Sequence, residues 1–506
     1  MATAWRSRLR FRERWPLQYY RCYYQLPADL VMLCWLIMMA FLLVEEAQGD
    51  DCCAWNGVVC HNRTGRVRVA ELNLQNPNGT EEETTLRGEL LHPSLLSLTH
   101  LRNLNLRFND FERTQIPPLV GSLHKLSYLD LSWSNLSGII PPHLGNLTNL
   151  RHLDLSTSNL GGTIPPHLGN LTNLHHLDLS WSKFSGTIPP HLENLTNLHH
   201  LDLSDCNFSG TIPPHLGNLT NLHHLDLSDN SNLYFPKDGH SLDWLSGLSS
   251  LIYLDMSFLD LSNASHNFLS TINMLPSLQQ LNLCFCSISN IPLSLNFHLN
   301  LTSLTTLDLS GNIFTSSFPN WLWNLTSLSS LQLKESQIGG KLPIEIGNLI
   351  SITYLDLSLN LLSGPLPDTL SKLKHLTYLD LSYNLLGNSL PMGIMNLSSL
   401  STLRLINWSI PHSFGNFSTM ISTSNEQLPS FEVLEMGQDT YPIYSGSESI
   451  TLITKGDQFT FSSILYLVKS IDLSNNELID EIYEEFRYLA GLHALNLSRN
   501  YFKGTR

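Results

Sequence analysis

Histidine and aspartate recur in this chain at a spacing that would bring them together in space. The repeated residues are His176, His200 and His224 and, two positions later, Asp178, Asp202 and Asp226. On parallel strands about 4.8 Å apart, such columns could hold a metal ion or form a patch that changes charge near pH 6 and so alters ligand binding. Residues 162–180 and 210–228 are identical. We therefore favour a solvated face copied by duplication, and we predict no metal site and no cofactor.

The elements that position these residues follow from a period of 24 residues. Alternating leucines such as Leu355 and Leu357 predict a short strand with the leucines inward and Asp356 and Ser358 outward. An asparagine after the strand suits hydrogen bonds between coils, and glycine and proline then turn the chain. The examples are Asn360, Asn384, Asn500, Gly364 and Pro367. A fixed period of this length predicts an α/β leucine-rich-repeat solenoid, a right-handed superhelix with a parallel β-sheet on the concave face and loops and 3-10 turns on the convex face.

Sixteen strands are predicted, in two groups separated by a segment without periodicity. Fourteen precede the interruption, centred near Leu72, Leu104, Leu129, Leu153, Leu177, Leu201, Leu225, Leu254, Leu281, Leu307, Leu331, Leu355, Leu379 and Leu403; two follow it, near Ile471 and Leu495.

Composition argues for binding rather than catalysis. The chain has 506 residues, a formal charge of -15 and 14% charged residues, so it carries no basic stripe for nucleic acid. It also has no glycine-rich phosphate loop, no kinase motif set and no nucleophile elbow. We predict that the protein is not an enzyme and does not bind nucleic acid.

The first 49 residues predict entry into the secretory pathway. Six arginines precede the apolar run 30–44, and small residues close it near Gly49, which is typical of a cleaved signal peptide. A retained signal anchor is the alternative, and either arrangement places the repeats outside the cytosol. Most of the Asn-x-Ser/Thr sites should then be glycosylated. They are Asn62, Asn78, Asn135, Asn146, Asn170, Asn194, Asn207, Asn218, Asn263, Asn300, Asn324, Asn396, Asn407, Asn416 and Asn496.

The cysteines predict one disulfide and several packed thiols. Cys53 and Cys60 lie in the sequence DCCAWNGVVC, and we expect them to pair, whereas Cys52 has no evident partner. Cys206 and Cys286 occupy the asparagine position and are about 14 Å apart if strands are regularly spaced, too far for a disulfide.

Several motifs resemble the extracellular part of plant leucine-rich-repeat receptor-like proteins, the kinase-less elicitor and disease-resistance receptors. These motifs are CCAWNGVVC, the repeated SGxIP and LGNLTNL, and a gap in the repeats that contains YPIYSGSESITLITKG. On this resemblance, residues 1–49 are a signal peptide or anchor and 50–66 a partial N-terminal cap. Residues 67–420 hold about 14 repeats, 421–466 the island segment and 467–506 about two more, truncated repeats.

The resemblance implies a plasma-membrane receptor in plant defense, which senses a microbial elicitor or a peptide and signals through a co-receptor kinase. The expected ligand contacts are the repeated histidines and aspartates named above, together with Trp133, Trp181, Asp205 and Asp229. Tyr444, Lys455 and Gly456 match the island motif.

Several alternatives stay open. The sequence stops where G-x-I-P should continue after Gly504, so we expect a fragment or a truncated, non-functional product. A chain expressed as written would be secreted or held only by its N-terminal apolar run. A secreted inhibitor of a cell-wall hydrolase and a receptor kinase cut before its kinase are the remaining candidates.

Overall fold

The structure is a computed structural model. It describes residues 101–236, 242–264, 268–289, 291–314, 317–386 and 397–405, and short segments at 58–61, 68–76, 450–454, 457–461, 470–472 and 494–498, with isolated residues at 85, 98, 100, 394 and 492. The chain forms two compact units, Met1–Tyr234 (unit 1) and Phe235–Arg506 (unit 2).

In unit 1, seven short strands pair in parallel, and we call this the front sheet of unit 1. They are Arg68–Asn73, Asn103–Asn105, Tyr128–Asp130, His152–Asp154, His176–Asp178, His200–Asp202 and His224–Asp226. The strand Val58–His61 pairs antiparallel with the first of them. The central leucines pair directly with each other, as Leu177 does with Leu201. Residues that lie 24 positions apart in the sequence are therefore aligned side by side in the sheet.

Unit 2 repeats this arrangement with nine parallel strands, the front sheet of unit 2. They are Tyr253–Asp255, Gln280–Asn282, Thr306–Asp308, Ser330–Gln332, Tyr354–Asp356, Tyr378–Asp380, Thr402–Arg404, Ser470–Asp472 and Ala494–Asn496. Thr402–Arg404 pairs with Ser470–Asp472, although the sequence between them is far longer than one coil. The predicted interruption is therefore inserted between adjacent strands.

The back of each coil contains smaller sheets and 3-10 turns. In unit 1 the second sheet consists of Ser137–Ile139, Asn159–Gly162, Lys183–Gly186, Asn207–Thr211 and Asn232–Tyr234. In unit 2 it consists of Gly339–Gly340, Leu361–Gly364 and Leu385–Leu386. The 3-10 turns are Pro118–Ser122, Pro142–Asn146, Pro166–Asn170, Pro190–Asn194, Pro214–Asn218, Asp243–Gly247, Asn320–Asn324, Ile344–Asn348 and Asp368–Lys372.

Unit 2 contains two further elements, a short helix and a hairpin. The helix is Phe268–Ile272, and the hairpin strands Ile450–Thr454 and Asp457–Phe461 pair antiparallel within the predicted island. Among the residues that the structure describes, no helix has both the length and the apolar character needed to cross a membrane.

The predicted strands and core are confirmed. All sixteen central residues lie in parallel strands, and leucines such as Leu355 and Leu357 are completely buried. Asn384 occupies the expected slot and donates to the carbonyls of Leu357, Leu381 and Ser382. Asn500 lies outside the described residues. Backbone groups that would be orphaned between coils are thus satisfied by the side chain in this slot, which is an amide in some coils and a hydroxyl or thiol in others, such as Ser336 and Cys286.

The prediction that Asp356 and Ser358 face solvent is wrong. Both side chains are buried, because the Asp356 Oδ1 atom accepts hydrogen bonds from the backbone N–H and the hydroxyl of Ser358, at 2.9 and 2.6 Å. This Asx-type turn closes the strand. The aspartate is therefore a buried structural residue of the repeat.

Candidate ligand-binding surface

Five aromatic or imidazole rings stack on the front sheet of unit 1, and we call them the ring column. They are Tyr128, His152, His176, His200 and His224, with ring centroids 4.1–4.2 Å apart and planes within 16° of parallel. The rings lie closer together than the strands that carry them, which are about 4.8 Å apart. Stacking covers the ring faces, and His176 is only 8% exposed.

An acid column lies two residues further along the same strands. Its members are Asp130, Asp154, Asp178, Asp202 and Asp226. In each coil the aspartate Oδ1 atom accepts from the backbone N–H and the hydroxyl of the serine two residues later, as in the pair Asp178 and Ser180, at 2.9 and 2.7 Å. Burial raises the pKa of Asp154 and of Asp202 well above the ordinary value, and neighbouring aspartates add to the shift.

The prediction of a solvated histidine face is wrong for this column. His176 and Asp178 are buried, and His200, Asp202, His224 and Asp226 are half-buried. Burial lowers the pKa of His224 to about 3, and burial together with Arg107 lowers that of His152 to about 4. These shifts place protonation of His152 and His224 well below pH 6, which argues against the alternative of a pH-sensitive patch.

After each front strand, one residue has a left-handed backbone conformation. We call these residues together the variable column. In unit 1 it contains Trp133, Thr157, Trp181, Asp205 and Asp229, whose φ angles lie between 47° and 53°. The backbone N–H of each residue except Asp229 donates to a carbonyl of the next coil, for example Trp181 to Ser204 at 3.1 Å. The column therefore holds side chains of different chemistry in one fixed backbone geometry, as a recognition surface requires.

The predicted contacts in this column are accessible. Trp133 and Trp181 are 45% and 56% exposed, and Asp229 is also exposed. Asp205 is half-buried, and burial together with the charge of Asp229 raises the pKa of Asp205 to about 6. Two indole rings and two carboxylates thus lie on four of five successive coils, and Thr157 lies on the fifth.

The sequence analysis missed members of the same column in unit 2. Phe258 and Phe285 stack with centroids 5.2 Å apart and remain 44% and 46% exposed, and Leu359 and Tyr383 are also exposed. Each lies four residues after the central leucine of its strand. Counting four positions from every central leucine would have found them.

A basic pocket of about 610 Å³ lies at the edge of the front sheet of unit 1. Its lining residues are Arg102, Lys125, Ser127, Asn149, Arg151 and Asn173. The asparagines are fixed by the preceding coil, since Asn149 donates to the carbonyl of His124 and Asn173 to that of Thr148. Three cationic side chains with amide donors suit a carboxylate or another anionic group.

The remaining predicted residues are only partly covered. Tyr444, Lys455, Gly456 and Cys53 lie outside the described residues, and nothing is described of the Cys60 side chain. The predicted packed thiols are confirmed: Cys206 and Cys286 are free and donate to carbonyls of Leu179 and Met256, at 3.4 and 3.1 Å.

Nine predicted glycosylation sites have exposed side chains, and Asn263 is half-buried. The exposed sites are Asn135, Asn146, Asn170, Asn194, Asn207, Asn218, Asn300, Asn324 and Asn496. Asn62, Asn78, Asn396, Asn407 and Asn416 lie outside the described residues.

Comparison with known proteins agrees with this architecture. The family described as "Leucine-rich repeat region" matches residues 134–340, and the family "Leucine Rich Repeat" matches 351–373 and 375–397. Receptor-like protein EIX1 of Solanum lycopersicum is 40% identical over 99 residues, which are 19% of this chain and 10% of that protein. The chain therefore matches only about a tenth of that relative's length.

Two solved ectodomains from Arabidopsis are similar over most of the chain. The receptor kinase GASSHO1/SCHENGEN3, in complex with CASPARIAN STRIP INTEGRITY FACTOR 2, is 26% identical, with a TM-score of 0.64, and the match covers 92% of this chain and 56% of that one. HAESA, in complex with the peptide hormone IDA and the co-receptor SERK1, is 25% identical, with a TM-score of 0.53, and the match covers 94% and 86%.

Proposed function

We propose, from the premise that this chain is a plant leucine-rich-repeat receptor-like protein, that it is an extracellular recognition module for a peptide or protein ligand. The observation that carries the proposal is the variable column of unit 1. It presents Trp133, Trp181, Asp205 and Asp229 on consecutive or near-consecutive coils, and exposed tryptophans are typical anchors of protein interfaces.

The spacing of this surface suits an extended ligand. Front strands lie about 4.8 Å apart, whereas an extended peptide advances about 3.3 Å per residue, so three residues of peptide cover about two coils. The tryptophans would pack against apolar side chains, and the carboxylates of Asp205 and Asp229 would pair with a basic residue or an amino terminus. The basic pocket, with Arg102 and Arg151 among its lining residues, would take an acidic group of the same ligand.

We further propose that the protein senses a microbial elicitor in defense, that it is located at the plasma membrane and that it signals through a co-receptor kinase. EIX1 is a receptor-like protein, and HAESA forms a complex with a peptide hormone and SERK1. In the same way, we propose that the island with Tyr444, Lys455 and Gly456 and the repeats after it engage a kinase partner.

We also propose that residues 1–49 direct secretion, that Cys53 and Cys60 form a disulfide and that exposed sequons carry glycans. Asn263 is an exception, because its side-chain amide donates to the carbonyl of Phe235 at 3.0 Å. Peptide mapping after enzymatic deglycosylation should find Asn170 modified and Asn263 unmodified.

Selection from a displayed random peptide library against the full secreted chain tests the recognition function. We expect peptides that bind the wild-type chain and fail to bind W133A/W181A. The matched control is L119A/I139A, which removes two similarly exposed apolar side chains of unit 1 outside the variable column. Peptides that bind both variants equally well would refute a ligand site on the variable column.

A further inference from the structure

The ring and acid columns of unit 1 bring together three groups of metal-ligating side chains. The groups are Asp130–His152–Asp154, His176–Asp178–His200 and His200–Asp202–His224, and in each group one ligand atom per residue lies within 4.8 Å of the others. We propose that these columns bind a divalent transition metal ion such as Zn²⁺, through two or three imidazole and carboxylate ligands and water.

Tyrosine-bearing coils show which oxygen of the aspartate lies beside the ring column. The Tyr128 hydroxyl lies 3.4 Å from Asp130 Oδ2, and the Tyr378 hydroxyl lies 3.3 Å from Asp380 Oδ2. The polar end of a ring residue therefore lies beside the Oδ2 atom of the aspartate two positions later. Histidine at the same position brings a nitrogen lone pair to this edge, where tyrosine brings a hydroxyl donor.

In unit 2 a cation already occupies this edge in one coil. Arg404 Nη1 lies 3.1 Å from Asp380 Oδ2, and it also donates to the Tyr378 hydroxyl at 3.3 Å. The geometry of the repeat thus accommodates positive charge against the aspartate and its ring neighbour. In unit 1 the combination of imidazole and carboxylate is one that Zn²⁺ and related ions prefer.

The first group contains a buried atom that suits a ligand role. The Nε2 atom of His152 is buried and has no hydrogen-bond partner among the described residues, and a buried polar atom without a partner is costly. The carboxylates of Asp130 and Asp154 lie beside this ring. A metal ion bonded to Nε2 and one or both carboxylates would satisfy it.

The serines supply the support that metal ligands usually need. Each aspartate is oriented through its Oδ1 atom by two donors from one serine, as Asp202 is by Ser204 at 2.9 and 2.7 Å. Such outer contacts hold a ligating carboxylate in place through one oxygen, so that an ion can be bound through the other.

The fit requires a modest rearrangement. Ligand atoms around a tetrahedral zinc ion with bonds of about 2.0–2.1 Å lie roughly 3.3 Å apart, so atoms at the 4.8 Å limit must approach by up to about 1.5 Å. Side-chain rotation on a fixed strand can supply this. His200 belongs to two groups, so an ion bound through a His200 nitrogen in one group prevents the same nitrogen from binding an ion in the other.

Titration of the metal-free full chain with Co²⁺, followed by displacement with Zn²⁺, tests the proposal. The test variant is H152Y/H200Y, which places a tyrosine where the repeat already uses one: Tyr354 and Tyr378 stack with centroids 4.3 Å apart. The control is H175A/H199A, which removes two histidines on the same coils that lie outside the three groups. Far-ultraviolet circular dichroism verifies that both variants are folded.

We expect the wild-type chain and H175A/H199A to show the same visible Co²⁺ absorption and the same Zn²⁺ affinity. H152Y/H200Y should lose the absorption and bind Zn²⁺ at least about tenfold more weakly. Absence of a Co²⁺ complex in the wild-type chain, equal affinity in H152Y/H200Y, or a comparable loss in H175A/H199A would overturn the proposal.

Discussion

Asp205 shows how the environment of one residue sets the chemistry of the recognition surface. It is half-buried in a left-handed backbone conformation and has Asp229 on the next coil. Removal from water and a neighbouring like charge both favour the neutral acid. Because its pKa is raised only to about 6, Asp205 is mostly ionised at neutral pH, and a basic ligand group that pairs with it should bind more weakly below about pH 6.

The raised pKa of Asp205 predicts a dependence of stability on pH. Its folded value of about 6 lies above the ordinary value of 3.8, so the folded state holds the proton more tightly. The contribution to stability is complete below about pH 4 and is lost as the pH rises to about 6. We expect D205N to flatten the fall in melting temperature between pH 4 and 6, measured by circular dichroism.

D260N, at an exposed aspartate of unit 2, is the control and should follow the wild-type pH profile. Asparagine also tolerates the left-handed conformation better than aspartate, but that gain is the same at every pH. A D205N profile parallel to that of the wild type would show that Asp205 does not titrate in this range.

The buried asparagine that several coils share predicts a large loss of stability on truncation. The Asn360 side chain makes five hydrogen bonds to backbone groups: it donates to the carbonyls of Leu333, Leu357 and Ser358 and accepts from the N–H groups of Ser336 and Ile338. We expect N360A to lower the free energy of unfolding by about 2–4 kcal/mol, because it leaves buried groups without partners.

N360C should cost less than N360A, since the Cys286 thiol already occupies the same slot and donates to a carbonyl. Urea denaturation followed by circular dichroism measures both variants. Equal stability of N360A and the wild-type chain would contradict the role assigned to the amide.

At the scale of elements, the close packing of the 3-10 turns predicts a second stability effect. A Cβ atom on Gly145 would overlap the carbonyl oxygen of His167 in the next coil. Glu193 occupies the equivalent position two coils later, so the turn can adjust, and we expect G145A to cost about 1–2 kcal/mol.

G339A is the matched control, because its new Cβ atom would meet only ordinary contacts at 3.8 Å. Thermal denaturation of both variants gives the comparison. A melting temperature for G145A equal to or above that of G339A would show that the coils are not as closely packed at this turn.

The strands could be predicted from the sequence because leucine spacing alone fixes which side chains enter the core. Every predicted strand centre, from Leu72 to Leu495, was located correctly. The burial of Asp178 and His176 could not be predicted this way. The alternation of leucine with polar residues along the strand assigns these residues to the outer face. The stacked rings of neighbouring coils and the hydrogen bonds with serine then cover them.

The sequence analysis missed part of the recognition surface for a similar reason, because it did not consider the position of each residue within its coil. Trp133 and Trp181 were identified by residue type, whereas Phe258 and Phe285 required the position within the coil. The left-handed conformation at that position is a property of the repeat and is not encoded by any one of these residues.

For the whole molecule, the duplicated coils predict that unit 1 can be shortened. Deletion of residues 162–209 removes 48 residues, or two coils, and restores an identical sequence after the junction. Since each coil contacts only its neighbours, we expect a folded protein with a melting temperature lower by a few degrees. Circular dichroism and size-exclusion chromatography measure the outcome.

Deletion of residues 162–197 is the control, because it removes a smaller segment but joins the chain half a coil out of phase. It should unfold or aggregate. If both deletions behave alike, the coils do not act as exchangeable units.

The most direct test of the account is the affinity of a peptide selected on the wild-type chain, measured by isothermal titration calorimetry with W181A and with L119A. Loss of a tryptophan anchor at an interface costs about 2 kcal/mol or more, so we expect W181A to bind roughly 30-fold more weakly and L119A to bind like the wild type. Unchanged affinity in W181A, or equal losses in both variants, would contradict a ligand site on the variable column.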